Sequence, residues 1–281
     1  MKRRHFLKGA SSILALTSIT GLYAWQIEPF WIEFVNVPMP LLNLPEKLKG
    51  KTLMQISDIH VGNRFDPDFL IKAFQEAQAL NPDIVVYTGD FVSYENKEQL
   101  QQLKHVMSHA VKGKLASLAI LGNHDYGKNW AEPEIANAIQ DILQIEGITT
   151  LRNESQNIDG LNIIGIDDYW GTNFNPQKAL KYFNPKEANL VLCHNPDVCD
   201  LNVWGEYNSW ILSGHTHGGQ CKPPFLPPPV LPVVNKAYTA GTFSLSNTRT
   251  LYINRALGTL WQLRFNVRPE ITVFKLTSVL S

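Results

Sequence analysis

The 281-residue sequence predicts an α/β fold in which strands alternate with helices and carry polar groups at their carboxyl ends. Three observations predict it. Short apolar runs rich in β-branched residues recur along the chain, and stretches with apolar residues at three- and four-residue spacing separate the earlier ones. The main runs end in the same few residue types, aspartate, histidine, asparagine and glycine. Hydrophobic residues make up 44% of the chain, enough for a sizeable core, which excludes an intrinsically disordered protein.

Residues 1–25 stand apart from this pattern. Arg3-Arg4-His5-Phe6-Leu7-Lys8 precedes an uncharged stretch from Gly9 to Trp25, and no acid occurs before Glu28. That is the layout of a secretory signal, and the arginine pair followed by Phe-Leu-Lys resembles a twin-arginine signal, read by an export machinery that carries folded proteins across the bacterial inner membrane. No small-x-small cleavage site follows, because Leu22-Tyr23-Ala24-Trp25 is bulky, so the segment suits retention at the inner membrane as an anchor. Its 17 uncharged residues are at the short end for a span. The expected location is the periplasm or the outer face of that membrane.

Residues 26–281 read as one domain. The expected strands are Leu53 to Ser57, Ile84 to Thr88, Leu118 to Leu121, Asn162 to Ile166, Leu190 to Cys193 and Trp210 to Ser213. Helices are expected at Pro67 to Leu80, Glu95 to Val111 and Pro133 to Glu146. After Tyr238 the helical spacing disappears, and Thr239 to Ser244, Thr250 to Asn254 and Glu270 to Leu276 are expected to be strands of a second sheet that completes the core. The chain has 25 basic and 25 acidic residues, but beyond residue 25 it carries four net negative charges, so no nucleic-acid partner is expected. Cys193, Cys199 and Cys221 are too few for a fully paired disulfide framework.

The candidate chemistry lies just past the strands. Asp58 and His60 follow the first, and their spacing places both side chains on one side of an extended segment. Gly89-Asp90 follows the second and Gly122-Asn123-His124-Asp125 the third. His194 comes after Leu190 to Cys193, and Gly214-His215-Thr216-His217-Gly218-Gly219 after Trp210 to Ser213. Five of the eight histidines fall in these positions. Carboxylate, imidazole and amide oxygen without thiolate suit two divalent ions such as Mn²⁺, Fe²⁺ or Zn²⁺ and disfavour a structural zinc site. His105 and His109, four residues apart with no third donor nearby, read instead as a solvated face.

The series Asp-x-His, Gly-Asp, Gly-Asn-His-Asp, lone His and Gly-His-x-His resembles the calcineurin-like metallophosphoesterase superfamily from about Leu53 to Leu276. The Gly-His-Thr-His-Gly-Gly-Gln form, Asn254-Arg255-Ala256-Leu257-Gly258 and the segment from Arg264-Phe265 to Pro269-Glu270-Ile271 resemble in particular its YaeI/YkuE-type bacterial phosphodiesterases. The resemblance implies a four-layer α/β/β/α sandwich with a dinuclear site at one edge. It implies that Asp58, His60 and His217 hold one ion, that Asn123, His194 and His215 hold the other, and that Asp90 bridges them. His124 is not a ligand in this pattern. Many members carry a second Asp where this chain has Ser93, which could orient a neighbour only through a neutral hydroxyl.

The implied activity is metal-dependent hydrolysis of a phosphodiester or pyrophosphate, with a hydroxide shared by the ions attacking phosphorus in line. His124 is expected to protonate the leaving group, with Asp125 orienting its ring. Lys222 to Pro232 should border the mouth, and its Phe225, Leu226, Val230 and Leu231 suit a lipid-linked substrate at a membrane surface. A soluble nucleotide phosphodiesterase, with Trp130, Tyr169 and Trp170 as stacking residues, and a non-catalytic metal-binding scaffold are the alternatives.

Overall fold

The computed structural model describes residues 3–62 and 65–279. Twelve strands among them form two six-stranded sheets. The first contains β1 (Glu33–Leu41), β2 (Thr52–Ile56), β3 (Ile84–Thr88), β4 (Ala116–Ile120), β5 (Thr149–Thr150) and β12 (Glu270–Ser278), in the order β1-β12-β2-β3-β4-β5. The second contains β6 (Glu154–Ile158), β7 (Leu161–Ile166), β8 (Ala188–Cys193), β9 (Trp210–Ser213), β10 (Gly241–Ser244) and β11 (Thr250–Ile253), in the order β10-β11-β9-β8-β7-β6. β2 to β5 run parallel in the first sheet, and β7, β8, β9 and β11 run parallel in the second. Their carboxyl ends therefore emerge together.

Three apolar clusters separate four layers, the sandwich that the family resemblance implied. Alternate residues of β2 to β4, such as Met54, Val85 and Ala119, pack outward against helices α2 (Pro67–Ala79), α3 (Glu98–Met107) and α4 (Pro133–Ile145). Their neighbours Leu53, Val86 and Leu118 face inward onto Ile163, Leu190 and Leu212 of the second sheet. Outside that sheet Ile164, Val191 and Ile211 are covered by Ala179 of the short helix α5 (Pro176–Leu180) and by Val198, Trp204 and Tyr207 of the loops. Burial on both faces is why β3 reads Ile-Val-Val-Tyr without polar alternation. α2 begins where Asp66 accepts from the N–H of Asp68 (2.9 Å) with Pro67 in the first turn.

Two elements depart from the sequence expectation. β12 does not join the second sheet with β10 and β11; it inserts into the first, antiparallel to β2 and parallel to β1. β1 had no clear sequence signature, since Asn36, Pro38 and Pro40 interrupt its apolar residues, and proline is tolerated because β1 is an edge strand.

The N-terminal segment forms helix α1 (Arg3–Gln26), which exposes Leu14, Leu16, Ile19 and Leu22. The side chains of Arg3 and Arg4 lie outside the described residues. Among the described residues no helix is long and apolar enough to cross a membrane. The expected boundary at residue 25 falls inside this helix, whose last turn packs on the body. Ala24 is buried and its carbonyl accepts from the Arg264 N–H (2.9 Å), while the ring of Tyr23 meets Phe265 edge-on.

Asp83 ties the starts of the first-sheet strands together. One oxygen accepts from the Thr52 N–H (2.9 Å), and the other lies 3.0 and 3.3 Å from the ammonium groups of Lys114 and Lys51. Burial pushes its carboxyl up, but the Thr52 N–H and the two lysines outweigh it and hold the group down at about 2. A folded-state value below the unfolded ~3.9 stabilises the fold above about pH 4, and this contribution is lost as pH falls through 2. Because both lysines are partly exposed, we expect Asp83→Asn to cost only about 1–2 kcal/mol at pH 7. Urea titrations should find that gap narrowing between pH 4 and 2. A gap equally wide at both extremes would contradict the assignment.

Candidate dinuclear metal centre

The site lies where the carboxyl ends of the two sheets meet. β2 delivers Asp58 and His60, β3 delivers Asp90, β4 delivers Asn123 and His124, β8 delivers His194, and β9 delivers His215 and His217. Backbone bonds continue the sheets into these loops: Asp58 N–H to Gly89 O (2.9 Å), His60 N–H to Asp90 O (3.0 Å) and Gly214 N–H to His194 O (3.0 Å). Asp58, His60, Asp90, His215 and His217 all have positive φ, between 47° and 69°. Left-handed backbone at five non-glycine donors is strain concentrated at one site. Gly89, at φ 90°, has no such alternative, because a Cβ there would lie 2.5 Å from the Gly122 N of the neighbouring loop.

The donors form two buried groups. Asp58, His60 and His217 converge in one and Asp90, His194 and His215 in the other, with one donor atom from each residue within 4.8 Å of the others in its group. His60 Nε2 lies 3.0 Å from His217 Nε2, and His194 Nε2 lies 3.3 Å from His215 Nδ1. Hydrogen bonds fix the tautomers of the second pair. His194 Nδ1 donates to Thr88 O (2.7 Å) and His215 Nε2 to Pro232 O (2.8 Å), so in the neutral rings the two facing nitrogens are bare. Lone pair against lone pair is repulsive unless a cation or a proton lies between them. The Asn123 amide oxygen is buried with no hydrogen-bond partner, as expected for a group that awaits an ion. These residues fit two divalent ions.

The electrostatics agree. Burial works against His194, yet the Asp90 and Asp58 carboxylates hold it well above the ordinary imidazole value. Burial would likewise raise Asp58, but His194 and His217 bring it down to about 2. The carboxylates that attract a proton to His194 attract a metal cation for the same reason.

Asp90 occupies the middle. Its Oδ2 lies 3.2 Å from His194 Nε2 and 3.6 Å from His60 Nε2, so one carboxylate reaches toward both groups. Ser93 Oγ lies 3.5 Å from His60 Nδ1, where its neutral hydroxyl stands against that ring nitrogen. His124 is oriented by Ser93 too, but through the backbone: its Nδ1 donates to Ser93 O (3.2 Å).

Asp125 requires a correction. It was expected to orient the His124 ring, but Oδ1 accepts from the N–H groups of Phe91 (2.8 Å) and Val92 (3.3 Å), and Oδ2 from that of Gly122 (2.9 Å). The carboxylate joins two ligand-bearing loops and does not reach the ring of its neighbour. Its turn folds as a 3₁₀ helix over Asn123–Tyr126, which directs the two side chains apart.

A cleft of about 540 Å³ opens over the donors and is lined by Asp90, Asn123, His124, His215 and His217. The Pro-rich segment borders it as expected, through Pro229, Val230 and Pro232, while Phe225 and Leu226 are exposed beyond. Trp130 and Trp170 reach the cleft, whereas Tyr169 packs on Phe174 in the outer core. His105 and His109 are exposed, and α3 ends before His109. Two features of the site were missed. Leu260 and Trp261 form part of the cleft wall without a local motif, and Asp168 follows β7 as a buried carboxyl that burial raises to about 7. The Asp167-Asp168 pair directly after Ile166 was the available signal, the same strand-end pattern that marks the candidate ligands.

Two sheets that bring their carboxylate- and histidine-bearing strand ends together into two candidate metal-binding clusters are the arrangement of a metallophosphoesterase. The family model for calcineurin-like phosphoesterases matches residues 51–219, and the chain belongs to that family of phosphoester hydrolases. It is 32% identical to the uncharacterized metallophosphoesterase YkuE of Bacillus subtilis over 99% of this chain and 98% of that protein. It is 31% identical to phosphodiesterase YaeI of Escherichia coli over 98% and 99% of the two chains. It is 30% identical to the UDP-2,3-diacylglucosamine pyrophosphatase LpxG of Chlamydia trachomatis over 94% and 95%.

Proposed function

We propose that this protein hydrolyses a lipid-linked phosphodiester or pyrophosphate in a two-metal site that faces the periplasm. The observation that carries the reading is the pair of histidine nitrogens that face each other 3.3 Å apart, flanked by Asp90, at the floor of a cleft whose walls are largely apolar. Two divalent ions held by Asp58, His60, Asp90, Asn123, His194, His215 and His217 supply Lewis acidity, lowering the pKa of a water and neutralising phosphoryl oxygens. His124, its Nδ1 donating to Ser93 O, presents Nε2 to the cleft, and in its doubly protonated imidazolium form it passes the Nε2 proton to the departing oxygen. Asp125 holds the Asp90 and Asn123 loops in register, and Ser93 places His124. Similarity to proteins named as a phosphodiesterase and as a UDP-2,3-diacylglucosamine pyrophosphatase supports the substrate class. All seven donor positions are filled, which disfavours a non-catalytic scaffold.

The test is parallel hydrolysis of a phosphate monoester, a phosphodiester and a lipid pyrophosphate with Mn²⁺ or with chelator. Turnover of the latter two is expected, chelator should abolish it, and adding Mn²⁺ back should restore it. Chelator-resistant hydrolysis would exclude the metal mechanism, and turnover of the monoester alone would exclude the substrate class.

Export through the twin-arginine machinery accounts for Arg3-Arg4, and the exposed leucines and isoleucine of α1 favour attachment to the outer face of the inner membrane. Replacing both arginines by lysine keeps the charge but removes the guanidinium pair that the machinery reads. Fractionation should then find the protein in the cytoplasm, and unchanged periplasmic delivery would refute this route.

A further inference from the structure

The cleft over the metal donors is lined by a tryptophan pair and by a proline-rich segment, and both touch the same donor residue. Trp170 stands edge-on to the His215 ring, with centroids 4.6 Å apart, and Trp130 stacks on Trp170 at 4.6 Å and 22°. Pro229, Val230, Leu260 and Trp261 line the same cleft. His215 Nε2 donates to Pro232 O, so the proline-rich segment is tied to the ring that the tryptophan pair touches.

The tryptophan side is built at some cost in backbone freedom. Asn129 and Trp130 are consecutive residues with positive φ, 54° and 58°, an outlier conformation for a bulky side chain. The turn is held by the Glu132 carboxylate, which accepts from Lys128 N–H (2.8 Å), and by Glu132 N–H donating to Tyr126 O (2.8 Å). Trp170 sits in a second turn, whose N–H groups at Trp170 and Gly171 both donate to Asp168 (2.8 and 2.9 Å). Such anchoring of two half-exposed or exposed aromatic rings is not needed by the core.

From this arrangement we infer that the cleft binds an apolar substituent carried by the phosphoryl group, and that Trp130 sets the preference for it. The inference rests on the phosphodiesterase reading above and specifies which part of the substrate the enzyme recognises. A nucleobase is the poorer occupant for two reasons. The tryptophan rings stack on each other and leave no gap for a base between them. The side chains that could read a base edge are already engaged: Thr216, Gln220 and Cys221 direct their donors at the carbonyls of Thr239, Trp261 and Leu263. An alkyl or acyl chain needs no such partners and gains by leaving water.

The test uses full-length protein with Mn²⁺ and the methyl, butyl and octyl diesters of p-nitrophenyl phosphate, with thymidine 5′-(p-nitrophenyl phosphate) as the nucleotide probe. The leaving group is constant, so the series reads only the second substituent. In the wild type kcat/KM should rise roughly two- to fourfold per methylene over the first few carbons. Trp130→Ala should reduce the octyl-to-methyl ratio by at least about tenfold with two ions still bound. Val230→Ser, at an exposed position in the cleft lining, should reduce the ratio in the same direction and serves if Trp130→Ala fails to fold. A wild-type rate independent of chain length would overturn the inference while leaving the phosphodiesterase reading intact. Faster turnover of the thymidine ester than of the octyl ester would assign the cleft to a base. Absence of metal-dependent hydrolysis of every diester would remove both.

Discussion

Replacing Asp90 by alanine is expected to abolish turnover and to reduce metal content below two ions per chain. Asp90 reaches toward both donor groups more closely than Asp58 does, with Oδ2 3.2 Å from His194 Nε2 and 3.6 Å from His60 Nε2, whereas Asp58 Oδ1 lies 4.0 Å from His194 Nε2. Burial alone would push its carboxyl up, but His194 and His124 hold it well below the usual range, so it stays anionic. Alanine removes that charge from between the imidazoles and frees the His124 N–H, which donates to Asp90 Oδ1 (2.9 Å). Loss of a group supporting a ligand costs ~10- to 100-fold in metal affinity or activity, and loss of a shared ligand should exceed that. Asp90→Asn, which keeps the shape and removes the charge, separates misfolding from loss of the ligand. Elemental analysis finding two ions in both variants would refute the bridging role.

His124→Ala should leave metal content unchanged and lower kcat by the ~10²- to 10⁴-fold typical of a lost general acid. The ring lines the cleft with its Nδ1 fixed on Ser93 O (3.2 Å), and His124 is in neither of the two donor groups. The decrease should be small for a nitrophenolate leaving group, which needs little protonation, and large for an alkoxide. Equal decreases on both would indicate that His124 stabilises the phosphoryl oxygens instead. Because the orienting group is the Ser93 carbonyl and not Asp125, Asp125→Asn should act mainly through the loops that it joins. Its consequence should be lower stability and disturbed placement of Asp90, with no selective dependence on the leaving group.

Most of the fold's central strands were legible because a strand buried on both faces must be apolar throughout, and Ile84–Thr88 and Trp210–Ser213 were read with their observed limits. Edge elements were not legible. β1 alternates weakly and carries prolines, and β5 has only two residues, so neither leaves a local pattern. The placement of β12 depends on a long-range pairing with β1 and β2 that no local periodicity encodes.

The sequence by itself determined the residue types at the strand ends, and with them the donor set: carboxylate, imidazole and amide oxygen without thiolate. Parallel strands bring their carboxyl ends together, so the order of motifs sufficed to collect Asp58, His60, Asp90, Asn123, His194, His215 and His217. Only the tertiary structure decided how the remaining groups are used. Asp125 adjoins His124 in sequence, yet a 3₁₀ turn directs its carboxylate to the N–H groups of another loop, and a carbonyl 31 residues away orients the ring instead. The cleft residues Leu260 and Trp261 likewise come from a segment with no signal of its own. Donor chemistry is a property of residue type and can be read locally. Hydrogen-bond partners and cleft walls depend on distances in space, which the packing of the two sheets sets.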